Sequence, residues 1–253
     1  MKSILRTAAS FLSVGILSAG LAAQTASARY DTDIQTRVTQ QLAKKSEFRN
    51  LQASTEDGIV TLSGSVDLYQ QKLDAGKKVR KLDKVQGVRN QVAVSTTAPD
   101  AQLAAKLERK LHYDRIGYDN EFNFVNVAVN DGVATLNGET RTDVGRDSAL
   151  SLVNNMPGVK DVVDNIKVSS VSGFDDRIRI SAMRAIYRDP VLSRYASDPA
   201  KPIRIVVDNG KLSLYGTVAS AMDKQVAGIR ANQVFGVFSV QNNLEVVKAR
   251  KLS

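Results

Sequence analysis

The chain contains no cysteine, which excludes disulfides, thiolate metal sites, a cysteine nucleophile and the lipid-modified cysteine that tethers exported bacterial lipoproteins. Histidine occurs once, at His112. No cluster of partner residues accompanies it in sequence, so it reads as a solvent-side helix residue and not as a base or ligand. Neither a G-x-G-x-x-G run nor a lysine-containing phosphate loop is present, so the glycines are expected to shape turns. Close carboxylates do occur, as Asp31/Asp33, Asp119/Glu121 and Asp175/Asp176. They sit mostly at helix starts or in loops, where the helix dipole accounts for them without a metal. These absences point away from an enzyme and from any bound cofactor or metal.

What is present begins with a leader. Lys2 and Arg6 precede an apolar run from Phe11 to Ala23 and the small-residue site Ala26-Ser27-Ala28. That pattern predicts a cleaved signal peptide over residues 1–28, with a mature chain starting near Arg29. The run is too short to span a bilayer, which takes about 20 apolar residues. The expected product is a soluble exported protein, periplasmic in a bacterium and not a lipoprotein. Without disulfides it must be stabilised by its cores, and modules of about 70 residues bury only about 60% of their chain surface. Packing between neighbouring modules would then matter.

The dominant feature is a phrase repeated three times: Asp57-Gly58-Ile59-Val60-Thr61-Leu62-Ser63-Gly64, Asp131-Gly132-Val133-Ala134-Thr135-Leu136-Asn137-Gly138 and Asn209-Gly210-Lys211-Leu212-Ser213-Leu214-Tyr215-Gly216. A second phrase follows each copy: Val85-Gln86-Gly87-Val88, Met156-Pro157-Gly158-Val159 and Val234-Phe235-Gly236-Val237. The repeating unit is therefore a whole small domain. Before each hairpin phrase, apolar residues recur every four positions (Ile34, Val38, Leu42; Leu103, Leu107, Leu111; Ile178, Ala182, Ile186), which predicts a helix. Alternation follows (Leu51, Ala53, Thr55; Val125, Val127, Val129; Ile203, Ile205, Val207), which predicts a strand. At the turn, Gly58, Gly132 and Gly210 supply a positive φ for a type I′ hairpin.

Helical spacing then returns, with Leu82/Val85, Val153/Met156 and Ala231/Val234 on the buried side, and the Gly-Val phrase is expected to end that helix in a left-handed C-cap. Closing strands are predicted at Gln91–Val94, Asn165–Val168 and Asn243–Val246. The fold class is α+β: three tandem α-β-β-α-β modules, each with two helices on a three-stranded mixed sheet. A helix between the second and third strands favours a parallel crossover. The boundaries are 29–97, 98–170 and 171–253, the last with a basic tail.

This element order, the D-G-x-V-x-L-x-G hairpin and the later G-V phrase resemble the BON domain, named for bacterial osmotically inducible periplasmic and nodulation proteins. The resemblance covers essentially the whole mature chain. It implies attachment to phospholipid surfaces and support of the cell envelope under osmotic or related stress. One departure stands out: ten residues separate the Gly-Val glycine from the closing valine in copies two and three, but only seven in copy one (Gly87 to Val94).

Charge is uneven. Lys and Arg against Asp and Glu give +3 over residues 31–97, −3 over 100–170 and +6 over 174–253. In the third opening helix Arg177, Ser181, Arg184 and Arg188 form one stripe, beside a second apolar line of Ile180, Met183 and Tyr187. The matching positions are Thr36, Thr39 and Ala43 in copy one, and Ala105, Glu108 and His112 in copy two. Basic residues beside apolar ones suit an interfacial helix on anionic phospholipid. The same line could equally pack on a neighbouring module, since leftover apolar surface marks an interaction without naming the partner. A protein-interaction or chaperone-like scaffold is the alternative reading. The run Lys77, Lys78, Arg80, Lys81 and Lys84 lacks apolar companions and reads as a solvated helix face. A pI near 9.7 raises nucleic-acid binding, but export, an acidic middle module and 6% aromatics argue against it.

Overall fold

The computed structural model describes residues 30–114, 120–169, 171–197 and 202–247. The expected leader at 1–28, Asp119 and the chain end from 248 lie outside them. The chain divides into two compact units, Met1–Val66 with Gln71–Ala93, and Asp67–Gln70 with Val94–Ser253. The first contains nearly all of module one; the second contains modules two and three.

Module one runs α1 (Asp31–Ala43), β1 (Leu51–Glu56), β2 (Ile59–Val66), α2 (Tyr69–Arg80), β3 (Gly87–Asn90) and β4 (Ala93–Val94). Module two has α3 (Asp100–Tyr113), β5 (Phe124–Asn130), β6 (Val133–Thr140), α4 (Asp143–Asn154) and β7 (Asp161–Val168). Module three has α5 (Gly173–Tyr187), β8 (Arg204–Asp208), β9 (Lys211–Tyr215), β10 (Thr217–Val218), α6 (Ala221–Asn232), β11 (Ser239–Asn242) and β12 (Glu245–Val246). The α+β expectation holds in every module. The hairpin strands pair antiparallel, with Ala53 opposite Leu62, Val127 opposite Leu136 and Ile205 opposite Leu214. The strand after the second helix returns parallel, with Val60 opposite Val88, Ala134 opposite Val162 and Leu212 opposite Val240. Each hairpin's second strand is thus central, and its Leu62, Leu136 or Leu214 is fully buried. Each leucine stabilises its module by about 1.5–3 kcal/mol relative to an exposed side chain.

Both turn residues lie in the left-handed region: Asp57 at φ 51° and Gly58 at 76°, Asp131 at 51° and Gly132 at 78°, Asn209 at 50° and Gly210 at 75°. A carboxylate from the opening helix locks each turn. Asp31 accepts the Asp57 and Gly58 N–H groups at 2.9 and 2.8 Å, Asp100 accepts those of Asp131 and Gly132 at 2.7 and 2.9 Å, and Asp175 accepts those of Asn209 and Gly210 at 3.0 and 2.8 Å. The aspartates at the helix starts therefore tie helix to hairpin, a stronger reason for them than the dipole alone. Further along, a Cβ built on Gly64 or Gly138 would fall 2.1 Å from Asn50 O or 2.0 Å from Phe124 O, so only glycine lets the paired backbones approach there.

In module one the second phrase needs a correction. Gln86, Lys160 and Phe238 occupy one position, since their N–H groups donate at 2.9 Å to the turn carbonyls of Gly58, Gly132 and Gly210. Gly87 is then the first residue of β3, opposite Ile59, and not a helix cap. The left-handed position of Gly158 (φ 99°) and Gly236 (φ 91°) is filled in module one by Lys84, at φ 66°. Counting from Lys84, ten residues lead to Val94, so the apparent gap of three disappears. Val79 and Leu82, not Leu82 and Val85, match Val153 and Met156. The third strand also starts four residues earlier than expected in every module, at Gly87, Asp161 and Ser239. It kinks at Asn90, Asp164 and Asn242, whose side-chain oxygens accept the N–H two residues on.

Candidate functional site

The third opening helix, α5, is capped by Ser172, whose side chain accepts the Asp175 N–H at 3.2 Å. Ile178, Ala182 and Ile186 are seated in the third core. A residue outside the anticipated set anchors the helix further. Arg179 is only 3% exposed, pairs with Asp176 at 2.7 Å and donates to the Val207 carbonyl at 2.5 Å. Its position corresponds to Gln35 in module one, which donates to the Ala53 carbonyl at 2.7 Å. The matching position in copy two is Ala104, so the polar donor occurs in two of the three copies.

The six residues of the stripe and apolar line divide. Arg177, Arg184 and Arg188 are exposed, and none forms an ion pair with another described residue. Ile180 beside them is 41% exposed. Met183 and Tyr187 are half-buried against the third core, and so is Phe122, at the end of a 3-10 turn of module two. The Tyr187 hydroxyl donates to the Ile203 carbonyl at 2.8 Å. Burial, with the Glu121 carboxylate nearby, pushes its titration far above the ordinary tyrosine range.

The surroundings are a junction between modules two and three. Arg204, only 3% exposed, donates to the Asn123 carbonyl at 3.1 Å. Phe124 stacks on Tyr215 with centroids 4.0 Å apart. Arg141 pairs with Asp176 at 3.1 Å; Arg141, seconded by Arg179, holds that carboxylate below its usual range despite the opposing effect of burial.

At the C-terminal end of α5, Arg184, Arg188, Asp189, Arg230 and Gln233 line a shallow groove. Arg230 takes up Asp189 at 2.7 Å and, with the Val191 and Leu192 N–H groups, keeps its carboxyl below the usual range. The acid in the groove is thereby spent, leaving Arg184 and Arg188 as its outward charges. A comparable arrangement orders the segment after α5. Burial raises the pKa of Asp223, but hydrogen bonds from Tyr195, Ser220 and Arg194 outweigh it and leave the carboxyl low.

The other candidates carry less. His112 Nδ1 lies 2.8 Å from the Glu108 carbonyl on its own helix. Asp33 pairs with Arg37 within α1, and the Lys84 ammonium stands 3.8 Å over the Tyr30 ring. Among the described residues no group of three His, Cys, Asp or Glu side chains could hold a metal ion. No described helix is long and apolar enough to cross a membrane.

The sequence reading passed over a set of aromatic residues. Phe174, Phe235 and Phe238 are 39%, 97% and 76% exposed. Phe174 and Phe238 stack with centroids 5.9 Å apart. Corrected for the shift in module one, their counterparts are Tyr30, Asp83 and Gln86 in copy one and Pro99, Pro157 and Lys160 in copy two. Only copy three is aromatic at all three, which a column-by-column comparison would have exposed.

No curated protein matches this sequence. Among solved structures, CdsD, a structural protein of the type III secretion system of Chlamydia trachomatis, is 14% identical with a TM-score of 0.25, over 87% of this chain and 92% of that one. The C-terminal domain of CdsD gives 13% and 0.23 over 83% and 96%, and the PrgH periplasmic domain 12% and 0.20 over 79% and 96%. These likenesses are too loose to bear on function. The BON domain matches residues 30–96, 99–170 and 188–248, so α5 falls just outside the third segment although it occupies the same place as α1 and α3. With three matched segments covering most of its length, the chain belongs to the BON domain family.

Proposed function

We propose that this protein is an exported, periplasmic, non-enzymatic module array that associates with anionic phospholipid through α5 and supports the envelope under osmotic or related stress. The observation that carries this reading is the outward face of α5. Arg177, Arg184 and Arg188 are exposed with no described carboxylate in ion-pair range, Ile180 lies beside them, and the helix beneath is anchored by Ile178, Arg179 and Ile186. A row of guanidiniums on an anchored helix, with no described internal ion pairs to break, meets anionic headgroups at low cost, each basic side chain near such a surface contributing about 1 kcal/mol. Met183 and Tyr187, packed against the third core, set the helix orientation and leave Ile180 as the shallow apolar contact.

The test is co-sedimentation of the mature protein with neutral vesicles and with vesicles containing phosphatidylglycerol or cardiolipin, at low and high salt. Binding that requires anionic lipid, weakens with salt and drops at least tenfold in the Arg184→Glu/Arg188→Glu variant is expected. Undiminished binding by that variant would show the site to be wrong. No binding to any vesicle, with crosslinking to a defined protein, would favour an interaction or chaperone-like scaffold.

A further inference from the structure

Phe174 lies in the first turn of α5, and Phe235 and Phe238 lie in the segment between α6 and β11 with Phe238 over the hairpin turn, so two separate segments bring three phenylalanines to one end of module three. The backbone there is arranged around these rings. A Cβ on Gly210 would stand 2.5 Å from the Phe238 ring, and one on Gly236 would stand 3.3 Å from the Phe174 ring. Phe238 is further held by its N–H bond to the Gly210 carbonyl at 2.9 Å. The Phe174 and Phe238 rings, held against each other and the turn while still exposed, lose little conformational freedom when they are buried against something else.

We propose that Phe174, Phe235 and Phe238 form an apolar wedge that enters the boundary between headgroups and acyl chains of an anionic bilayer, next to the α5 arginines. This inference rests on the membrane reading of α5 and extends it to a second, apolar contact. Phenylalanine has no polar handle for hydrogen bonding to a protein partner, and Phe235, at 97% exposure, projects instead of lining a groove. A projecting apolar residue is matched by a soft phase that needs no complementary pocket. The charge beside it has the right sign. Arg177 lies one turn after Phe174 and Lys211 directly follows the hairpin turn, both exposed. Of the nearby acids, Asp175 is buried on the turn N–H groups, while the exposed Asp208 accepts the Asn209 amide at 3.0 Å and keeps its charge. Phe174 and Arg188 are about 21 Å apart along the helix at 1.5 Å per residue. A helix lying flat on the bilayer would therefore present the wedge at one end and arginines along its length.

The chain has no tryptophan, so Phe235→Trp in the full mature protein creates a single fluorescent reporter at an exposed position where folding is undisturbed. It is titrated with phosphatidylglycerol-containing vesicles, with and without bromine on the acyl chains, alongside sedimentation of the Phe235→Ala/Phe238→Ala variant. The expected result is a blue-shifted emission quenched by the brominated lipid, and affinity at least tenfold lower in the alanine variant. Sedimentation with the vesicles but unshifted, unquenched emission would overturn the wedge while leaving the α5 reading standing. Failure of the unaltered protein to sediment with any vesicle would overturn both.

Discussion

Removing the Asp175 carboxylate perturbs the joint between α5 and the β8–β9 hairpin, and its cost follows from what the carboxylate holds. Asp175 is 1% exposed and accepts the Asn209 and Gly210 N–H groups at 3.0 and 2.8 Å. In Asp175→Asn one acceptor oxygen remains, so about one hydrogen bond to a charged group is lost, about 1.5–3 kcal/mol. In Asp175→Ala both bonds go and the buried Gly210 N–H is left without a partner, which adds about 1–3 kcal/mol. The joint in module two is more open, with the Asp131 N–H bond to Asp100 exposed to solvent. Water replaces that lost partner, and Asp100→Ala is expected to cost about half as much or less. The assay is urea unfolding at neutral pH. With a slope of about 2 kcal/mol/M, Asp175→Asn lowers the midpoint by about 1 M and Asp175→Ala by more. An unchanged midpoint for Asp175→Ala, or equal losses for Asp100→Ala and Asp175→Ala, would refute the burial-weighted reasoning.

Three further expectations bear on the same framework. Gly138→Ala brings a Cβ to 2.0 Å from Phe124 O, whereas Gly216→Ala meets Pro202 O at 2.9 Å; both are strained by positive φ, and unfolding measurements should show the larger loss of stability for Gly138→Ala, more than about 2 kcal/mol. Lys84→Gly relieves a left-handed lysine at φ 66° but gives up its contact with the Tyr30 ring. The αL cost of about 1–2 kcal/mol exceeds an exposed cation–π contact of about 0.5–1 kcal/mol, so unfolding measurements should show no loss of stability, and a clear loss would contradict the assigned cap. The carboxyls of Asp176, Asp189 and Asp223 sit below their unfolded values. The stability they contribute is present above about pH 4 and disappears as pH falls through the lower folded-state values. Thermal melts from pH 7 to pH 3 should show this loss, with a shallower fall in Asp189→Asn; identical slopes in the two proteins would count against it.

Much of the fold was legible because its signals are local. Alternation between Ile203 and Val207, spacing of four from Ile178 to Ile186, and an Asn-Gly or Asp-Gly pair whose two residues both sit at positive φ are properties of a few neighbouring residues. They hold whatever packs around them. The Gly87-Val88 phrase misled for the complementary reason. Its letters match the helix cap of the other copies, but the left-handed backbone is three residues earlier, at Lys84, and the N–H bond of Gln86 to Gly58 sets the register across the sheet.

What a few neighbouring residues could specify was that three modules exist, which faces of their opening helices and hairpin strands turn inward, and that the third opening helix carries a stripe of arginines. Which flank of that helix packs inward was set by tertiary contacts. Met183 and Tyr187 pack against the third core while Ile180 and the arginines stay outside, because partners for a helix flank come from residues far away in sequence. The same holds for Asp175, whose acceptors meet N–H groups beyond α5, and for Phe174, Phe235 and Phe238, which converge only when the start of α5 meets the segment after α6 over the hairpin turn. Periodicity specifies the direction in which a side chain points along its own element; which other side chains meet it is set by the packing of elements against one another.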